Sequence, residues 1–498
     1  MKAAARSETL PVAVIGAGPI GLAAAAELAT RDISFVVLEA AASAGSHVTQ
    51  WRHVRMFSPW RFNMAKSARR LLNGDGWVAP DDDALPTGGE LVDQYLAPLA
   101  ATPALSAAIR YHTRVTAISR LGLGKLKDVG RSASPFLIRH TDQAGEDVDI
   151  LARAVIDCSG TWSKPAPAGH SGLAAQGEKQ NAARIAYGMP DVLGSAKTRY
   201  AGKRVAVLGS GHSAIGTLLD LVDLRQSAPQ TGIVWLLRQT DLRRVLGGGT
   251  KDGLPARGAL GMRLSDALAN GAIRAIHPFA LERIGMDVDG SLRLHGVGGN
   301  ESIACDELVV ATGFRPDLAM LGEIRLDLDP ATEAPRALAP LIDPNVHSCG
   351  TVRPHGAKEL AQPEPGFYLA GMKSYGRAPT FLMATGYEQV RSIVAEIAGD
   401  HEAAARVELE LPETGVCSTD FAAAETGGCC APAARAETAA CCTPGPAMEK
   451  PASDPACCGG RPKADSSACC VEDEIAKVAG KSGCGCSDKP ASASLLTA

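Results

Sequence analysis

Two glycine-rich turns hold the residues of this chain best suited to chemistry. Gly16, Gly18 and Gly21 are spaced G-x-G-x-x-G, with Pro19 directly after the second glycine. Gly209, Gly211 and Ala214 are spaced G-x-G-x-x-A, with Ser213 just ahead of the alanine. In such a turn the first glycine permits a tight bend and the second lets backbone approach a pyrophosphate. The third position, Gly or Ala, lets the next helix pack closely, so that its first N–H groups face the phosphates. Each turn therefore predicts a bound dinucleotide.

The residue closing the next strand separates the two sites. Glu39 stands about 20 residues beyond the first turn, where a carboxylate accepts a hydrogen bond from a ribose hydroxyl, as expected for FAD. Arg238 closes the equivalent strand after the second turn. A guanidinium suits a 2′-phosphate that a carboxylate would repel, which predicts NADPH over NADH. Arg243 and Arg244 are alternative partners for that phosphate.

The elements that must position these turns are legible around them. PVAVIG (11–16) is a short buried strand, PIGLAAAAELATR (19–31) an Ala-rich helix and SFVVLEA (34–40) a second strand. RVAVLG (204–209), SAIGTLLDLVDL (213–224) and IVWLLR (233–238) repeat that order. Alternation of strand-like and helix-like segments over the first 400 residues predicts an α/β protein.

A third candidate is the stretch QWRHVRMFSPWRFNM (50–64), which follows the first βαβ unit. Aromatic residues make up only 4% of the chain, so this cluster is a local enrichment. The resemblance given below places this stretch beside a flavin, which implies that Asn63 hydrogen-bonds a flavin peroxide and that Arg61 or Arg55 holds an anionic substrate. Plain packing against the flavin is the alternative for any one of these residues.

Cysteine usage is uneven. Of 14 cysteines only Cys158, Cys305 and Cys349 precede residue 400. Beyond it come four vicinal pairs, Cys429–Cys430, Cys441–Cys442, Cys457–Cys458 and Cys469–Cys470, with Cys484 and Cys486 after them. Thiolates suit soft ions, which makes As(III), Cu(I), Hg(II) or opportunistic Zn(II) the expected ligands. Residues 420–498 are rich in Ala, Gly, Pro and Ser and lack apolar periodicity, so a disordered tail is expected. A net charge of -4 argues against nucleic acid as a partner, and no apolar run is long enough for a membrane span. The N-terminus shows no signal-peptide pattern, which makes a cytoplasmic protein the expectation. The expected partner is a small-molecule substrate, and a homodimer is compatible with the sequence.

Two nucleotide turns with this spacing resemble the flavin-containing monooxygenase and thioredoxin-reductase-like flavoproteins. The likeness includes DCSGTW (157–162), ELVVATGFRPD (307–317) and GFYLAGMKSYG (366–376), together with LPTGGELVDQYLAPLA (85–100) and TRVTAI (113–118). It implies an FAD-binding Rossmann-like domain interrupted by an inserted NADPH-binding one. The implied boundaries are 1–195 for the first FAD part, 196–330 for the insertion, 331–400 for the FAD return and 401–498 for the tail. It also implies cofactor roles for Val115 on the adenine-contacting strand, for Gly160 and Gly313 where chain crosses between domains, and for Gly371 near the ribityl chain. Two departures stand out. The monooxygenase signature F-x-G-x-x-x-H is missing, with YGMPDVLG (187–194) in its place, and Met372 stands where related reductases carry an Asp. Cys-tailed proteins of this kind occur beside bacterial arsenic-resistance genes.

The implied activity is an FAD- and NADPH-dependent oxidoreductase of monooxygenase type, acting on a small molecule or an arsenical. A flavin reductase of soft metals or disulfides, using tail thiols, is the first alternative. A soft-metal-binding protein whose flavin domain does not turn over is the second.

Overall fold

The computed structural model describes residues 10–238, 240, 242, 255–299, 301–345, 352–379 and 381–409. Arg243, Arg244, Cys349 and all ten paired or terminal tail cysteines lie outside the described residues.

Strand β1 (Val12–Ile15) is buried along its whole length. Helix α1 (Pro19–Thr30) follows with Pro19 in its first turn, where a missing N–H costs nothing. Ala23, Ala24, Ala25 and Ala26 of α1 are all fully buried. Their small side chains let the helix lie close to the sheet, and helices α2 (Lys66–Gly74) and α5 (Met383–Ile397) pack beside it. Gly386 of α5 sits where a Cβ would come within 2.6 Å of Ile20, so this helix pair needs a glycine there.

β1 pairs in parallel with β2 (Phe35–Leu38) on one side and β7 (Ala154–Asp157) on the other. β3 (Ile109–Arg110) and β16 (Phe367–Leu369) complete a five-stranded sheet of order β16-β7-β1-β2-β3. Its last strand is contributed more than 200 residues after the others, so the chain leaves this unit and comes back. An antiparallel sheet of β4 (Arg114–Arg120), β5 (Phe136–Thr141) and β6 (Asp147–Ala152) covers the face opposite α1.

The excursion builds a second parallel sheet of order β11-β10-β9-β15-β8. Its strands are β8 (Ile185–Tyr187), β9 (Arg204–Leu208), β10 (Gly232–Leu236), β11 (Arg274–Ile276) and β15 (Glu307–Val310). Helices α3 (His212–Ser227) and α4 (Pro255–Ala269) belong to the same unit. A further antiparallel sheet joins β12 (Leu281–Met286), β13 (Leu292–Gly296) and β14 (Ser302–Cys305).

Three elements lie across the expected boundaries. β8 pairs with β15, so the inserted unit takes up chain well before residue 196. Three residues, Ile-Ala-Tyr, are too few to show a period in sequence. Leu321 and Ile324 join the core of the first sheet, so the return begins ahead of residue 331. Helix α6 (His401–Ala405) lies within the expected tail but is anchored: Arg391 donates to the Ala403 carbonyl at 2.8 Å and Ser392 to that of Ala404 at 2.6 Å. Among the described residues no helix is long and apolar enough to cross a membrane.

Candidate cofactor and active site

The first glycine turn is built by close approach. A Cβ on Gly21 would lie 1.9 Å from the Gly16 carbonyl oxygen, so α1 can begin here only with a hydrogen at that point. A Cβ on Gly16 would sit 3.1 Å from the Cys158 carbonyl, and Gly16 has φ +95°. Gly18 is different: a Cβ there would meet nothing within 4 Å. No side chain caps the N-terminus of α1, so its first N–H groups remain available to an anion. Glu39 is buried at the end of β2, its Oε2 accepting from Ala17 N–H at 2.7 Å and its Oε1 from Ala41 N–H at 2.9 Å. Oε2 keeps a lone pair for a ribose hydroxyl. These features fit the adenosine and pyrophosphate half of FAD.

Two segments converge on that turn. Gly160 follows β7 in the crossover that touches Gly16. Gly371 opens the turn Gly371–Tyr375 after β16, with Ile20 3.1 Å from its Cβ position. Its N–H donates to Gln389 Oε1 at 2.7 Å. Val115 stands at the start of β4, opposite His140 and beside a register shift in the β4–β5 ladder. Sequence reasoning missed the polar groups under the return turn. Fully buried Gln389 also donates to Ser374 Oγ at 2.9 Å and to His355 Nε2 at 2.8 Å. His355 Nδ1 faces the Arg353 carbonyl at 3.0 Å, which fixes the neutral tautomer. Burial lowers the pKa of this imidazole, in keeping with that form.

The second turn repeats the construction on β9 and α3. A Cβ on Gly209 would lie 2.3 Å from the Ala311 carbonyl oxygen. Trp235 Nε1 donates to the Gly209 carbonyl at 2.7 Å, pinning the turn from the neighbouring strand. Gly211 is open on its Cβ side, and α3 too starts without a side-chain cap. Ala214 is fully buried in the third-glycine position, and Ser213 lies in the first turn of α3. Arg238 is exposed just past β10 and donates to the His170 carbonyl at 3.0 Å. Gly313 lies on the second crossover, where its carbonyl accepts from Ala166 N–H.

Aromatic contacts join the two nucleotide-binding parts. Trp162 on the first crossover stacks on Phe314 on the second, with centroids 4.4 Å apart, and its Nε1 donates to Gln50 at 2.8 Å. Phe57 meets His212 of the second glycine turn edge-on at 5.1 Å. Segment 50–57 therefore reaches the first crossover through Gln50 and the second glycine turn through Phe57.

The two residues expected to serve catalysis behave differently. Asn63 is 1% exposed, and both its amide hydrogens are used, donating to the carbonyls of Ser58 at 2.7 Å and Pro59 at 3.1 Å. Its Oδ1 accepts from Ser58 Oγ at 2.8 Å. It therefore has no hydrogen left for an oxygen species: it ties its own loop together. Arg61 pairs with Asp83 at the surface and lines a cavity of 950 Å³ with Arg31, Lys66, Tyr387 and Arg391, beside α1 and α5. Neither thiol of the described core is poised for nucleophilic chemistry. Burial, then the neighbouring Asp157, pushes the Cys158 pKa well up, and burial above all raises that of Cys305 to about 12. Among the described residues no cluster of His, Cys, Asp or Glu could hold a metal ion.

Two parallel sheets, each with an uncapped glycine turn, and a chain that leaves one and returns to it define a flavoprotein oxidoreductase that binds FAD and NADPH. The chain belongs to the pyridine nucleotide-disulphide oxidoreductase family, whose model matches residues 13–337. Among solved structures it is similar to the bacillithiol disulfide reductase of Bacillus cereus, at 17% identity and a TM-score of 0.55, over 78% of this chain and 99% of that one. It is similar also to the ornithine N-hydroxylase of Kutzneria sp. 744, at 18% identity and a TM-score of 0.50, over 79% and 99%. The ornithine hydroxylase of Pseudomonas aeruginosa matches at 16% identity and a TM-score of 0.50, over 78% and 99%. These are likenesses of fold. No curated protein matches the chain.

Proposed function

We propose that this protein is an NADPH-dependent flavin enzyme of monooxygenase type that acts on a small molecule, an arsenical being one substrate class. The observation that supports this most is a contact: Phe57, from the FAD-binding part, rests against His212 in the NADPH turn. NADPH held at that turn and FAD held at the other would then share this segment as a neighbour. FAD, when bound, supplies the redox chemistry: a hydride taken from NADPH and two electrons given to oxygen, one oxygen atom entering the substrate and the other leaving as water. The chain's own part is to hold both cofactors. In this reading Gly16, Gly18, Pro19, Gly21 and Glu39 bind FAD with Val115, Gly160 and Gly371, whereas Gly209, Gly211, Ser213, Ala214, Arg238 and Gly313 serve NADPH. Asn63 has a loop-building role, and Arg61, which lines the cavity beside α1, would hold an anionic substrate.

The state of the core thiols also supports the oxygen-using reading. Burial raises the pKa of both Cys158 and Cys305, which disfavours a thiolate at either. A reductase of disulfides or soft metals would instead draw on the vicinal cysteines after residue 417, which we read as a module for As(III) or a soft metal ion. Isotope-labelled oxygen distinguishes the two. Label entering the product supports the monooxygenase; NADPH oxidation by arsenical or disulfide without oxygen supports the reductase.

A further inference from the structure

Lys373 is a buried cation with no part in the cofactor contacts described so far. Its side chain is 1% exposed, and its ammonium donates to Asp157 Oδ2 at 2.6 Å and to Ser159 Oγ at 3.0 Å. The Asp157 side chain is fully buried, and its Oδ1 accepts from Ser159 N–H at 3.1 Å and Ser159 Oγ at 2.6 Å. Removing two charges from water is costly, and well-packed apolar residues often serve stability as well or better. Packing alone therefore does not account for an ion pair here.

Its location does. Asp157 is the last residue of β7, in register with Ile15 of β1 and Leu369 of β16. β1 runs into the first glycine turn, β7 into the crossover and β16 into the return turn. The Asp157 carbonyl accepts from Ala370 N–H at 3.0 Å, and the next residue, Cys158, touches Gly16. Lys373 lies within the return turn, two residues after Gly371. The pair thus ties the crossover at 157–160 to the return turn at 371–375.

We propose that Lys373 and Asp157 are a positioning pair for the bound flavin: they lock together the two segments that flank it and keep the charge beneath it balanced. The proposal rests on the placement of FAD at the first turn. In a dry interior an unbalanced charge acts over a longer range than in water. Loss of Lys373 would leave a carboxylate that opposes the negative charge a flavin gains on reduction. Loss of the Asp157 charge would leave an ammonium that favours it.

The test uses the full-length holoenzyme with Lys373→Met, Asp157→Asn and the double variant, reading the FAD dissociation constant and the flavin midpoint potential. Each single variant is expected to weaken FAD binding by about tenfold or more, because each breaks the tie. The potential should fall in Lys373→Met and rise in Asp157→Asn. In the double variant the potential should return to the wild-type value while FAD binding stays weak. Should a single variant not fold, the double variant decides by its affinity: wild-type FAD binding overturns the proposal. Unmoved potentials in the singles, or shifts of the same sign, also overturn it. A wild-type protein that retains no FAD would instead refute the placement of the cofactor, which separates the two failures.

Discussion

At the scale of single residues, the glycines differ in what they report. Gly21→Ala would drive a methyl into the Gly16 carbonyl and damage the fold itself. Gly18→Ala puts a methyl into open space and leaves the cofactor-free fold intact. If the pyrophosphate occupies that space, Gly18→Ala yields folded but colourless protein, as circular dichroism and flavin absorbance would show. A folded variant with full FAD would place the pyrophosphate elsewhere. Arg238 offers a second test, since losing a charge-assisted contact to the 2′-phosphate costs about 1.5–3 kcal/mol. Arg238→Ala should raise the KM for NADPH by about tenfold or more and leave that for NADH nearly unchanged. Equal changes for both would show that Arg238 does not read the phosphate. Gly16 and Gly21 were legible in sequence because the backbone geometry there tolerates so few residue types. Asn63 was not legible in the same way. Whether its amide is free depends on the turn at Ser58–Pro59, and composition carries no record of that hydrogen bonding. Lys373 was equally hidden, since its partner lies 216 positions away.

At the scale of elements, the two βαβ units were plain from their apolar strands and Ala-rich or Leu-rich helices. The edge strand β8 and the antiparallel sheets were not, because short or half-exposed strands leave little pattern. The two crossovers carry more than connection. Trp162 and Phe314 stack between them, and a Cβ on Gly188 would lie 3.3 Å from both rings. An aromatic pair of this kind contributes about 0.5–1.5 kcal/mol beyond its buried area. Trp162→Ala removes the stack and the bond to Gln50 together, loosening the inserted unit against the FAD-binding one. The rate of flavin reduction by NADPH should fall by about tenfold, with a smaller change in NADPH affinity, in stopped-flow traces. An unchanged rate would mean that the stack does not set the approach of the two cofactors.

At the scale of the whole molecule, the core and the cysteine-rich segment are separable in chemistry. The family match ends at residue 337 and the first sheet is complete by Leu369, well before the first vicinal cysteine pair. Removing residues 417–498 should therefore leave FAD content and NADPH oxidation unchanged. It should abolish tight arsenite binding, measured by equilibrium dialysis; retention of that binding would exclude the cysteines as the ligands. The central claim is that NADPH bound at one turn reduces FAD bound at the other, and that oxygen then takes the electrons. Anaerobic titration of the purified yellow protein with NADPH, followed by admission of air, tests this most directly. The account predicts bleaching of the flavin absorbance at one equivalent of NADPH and its recovery in air. A flavin that stays oxidised under NADPH would contradict it.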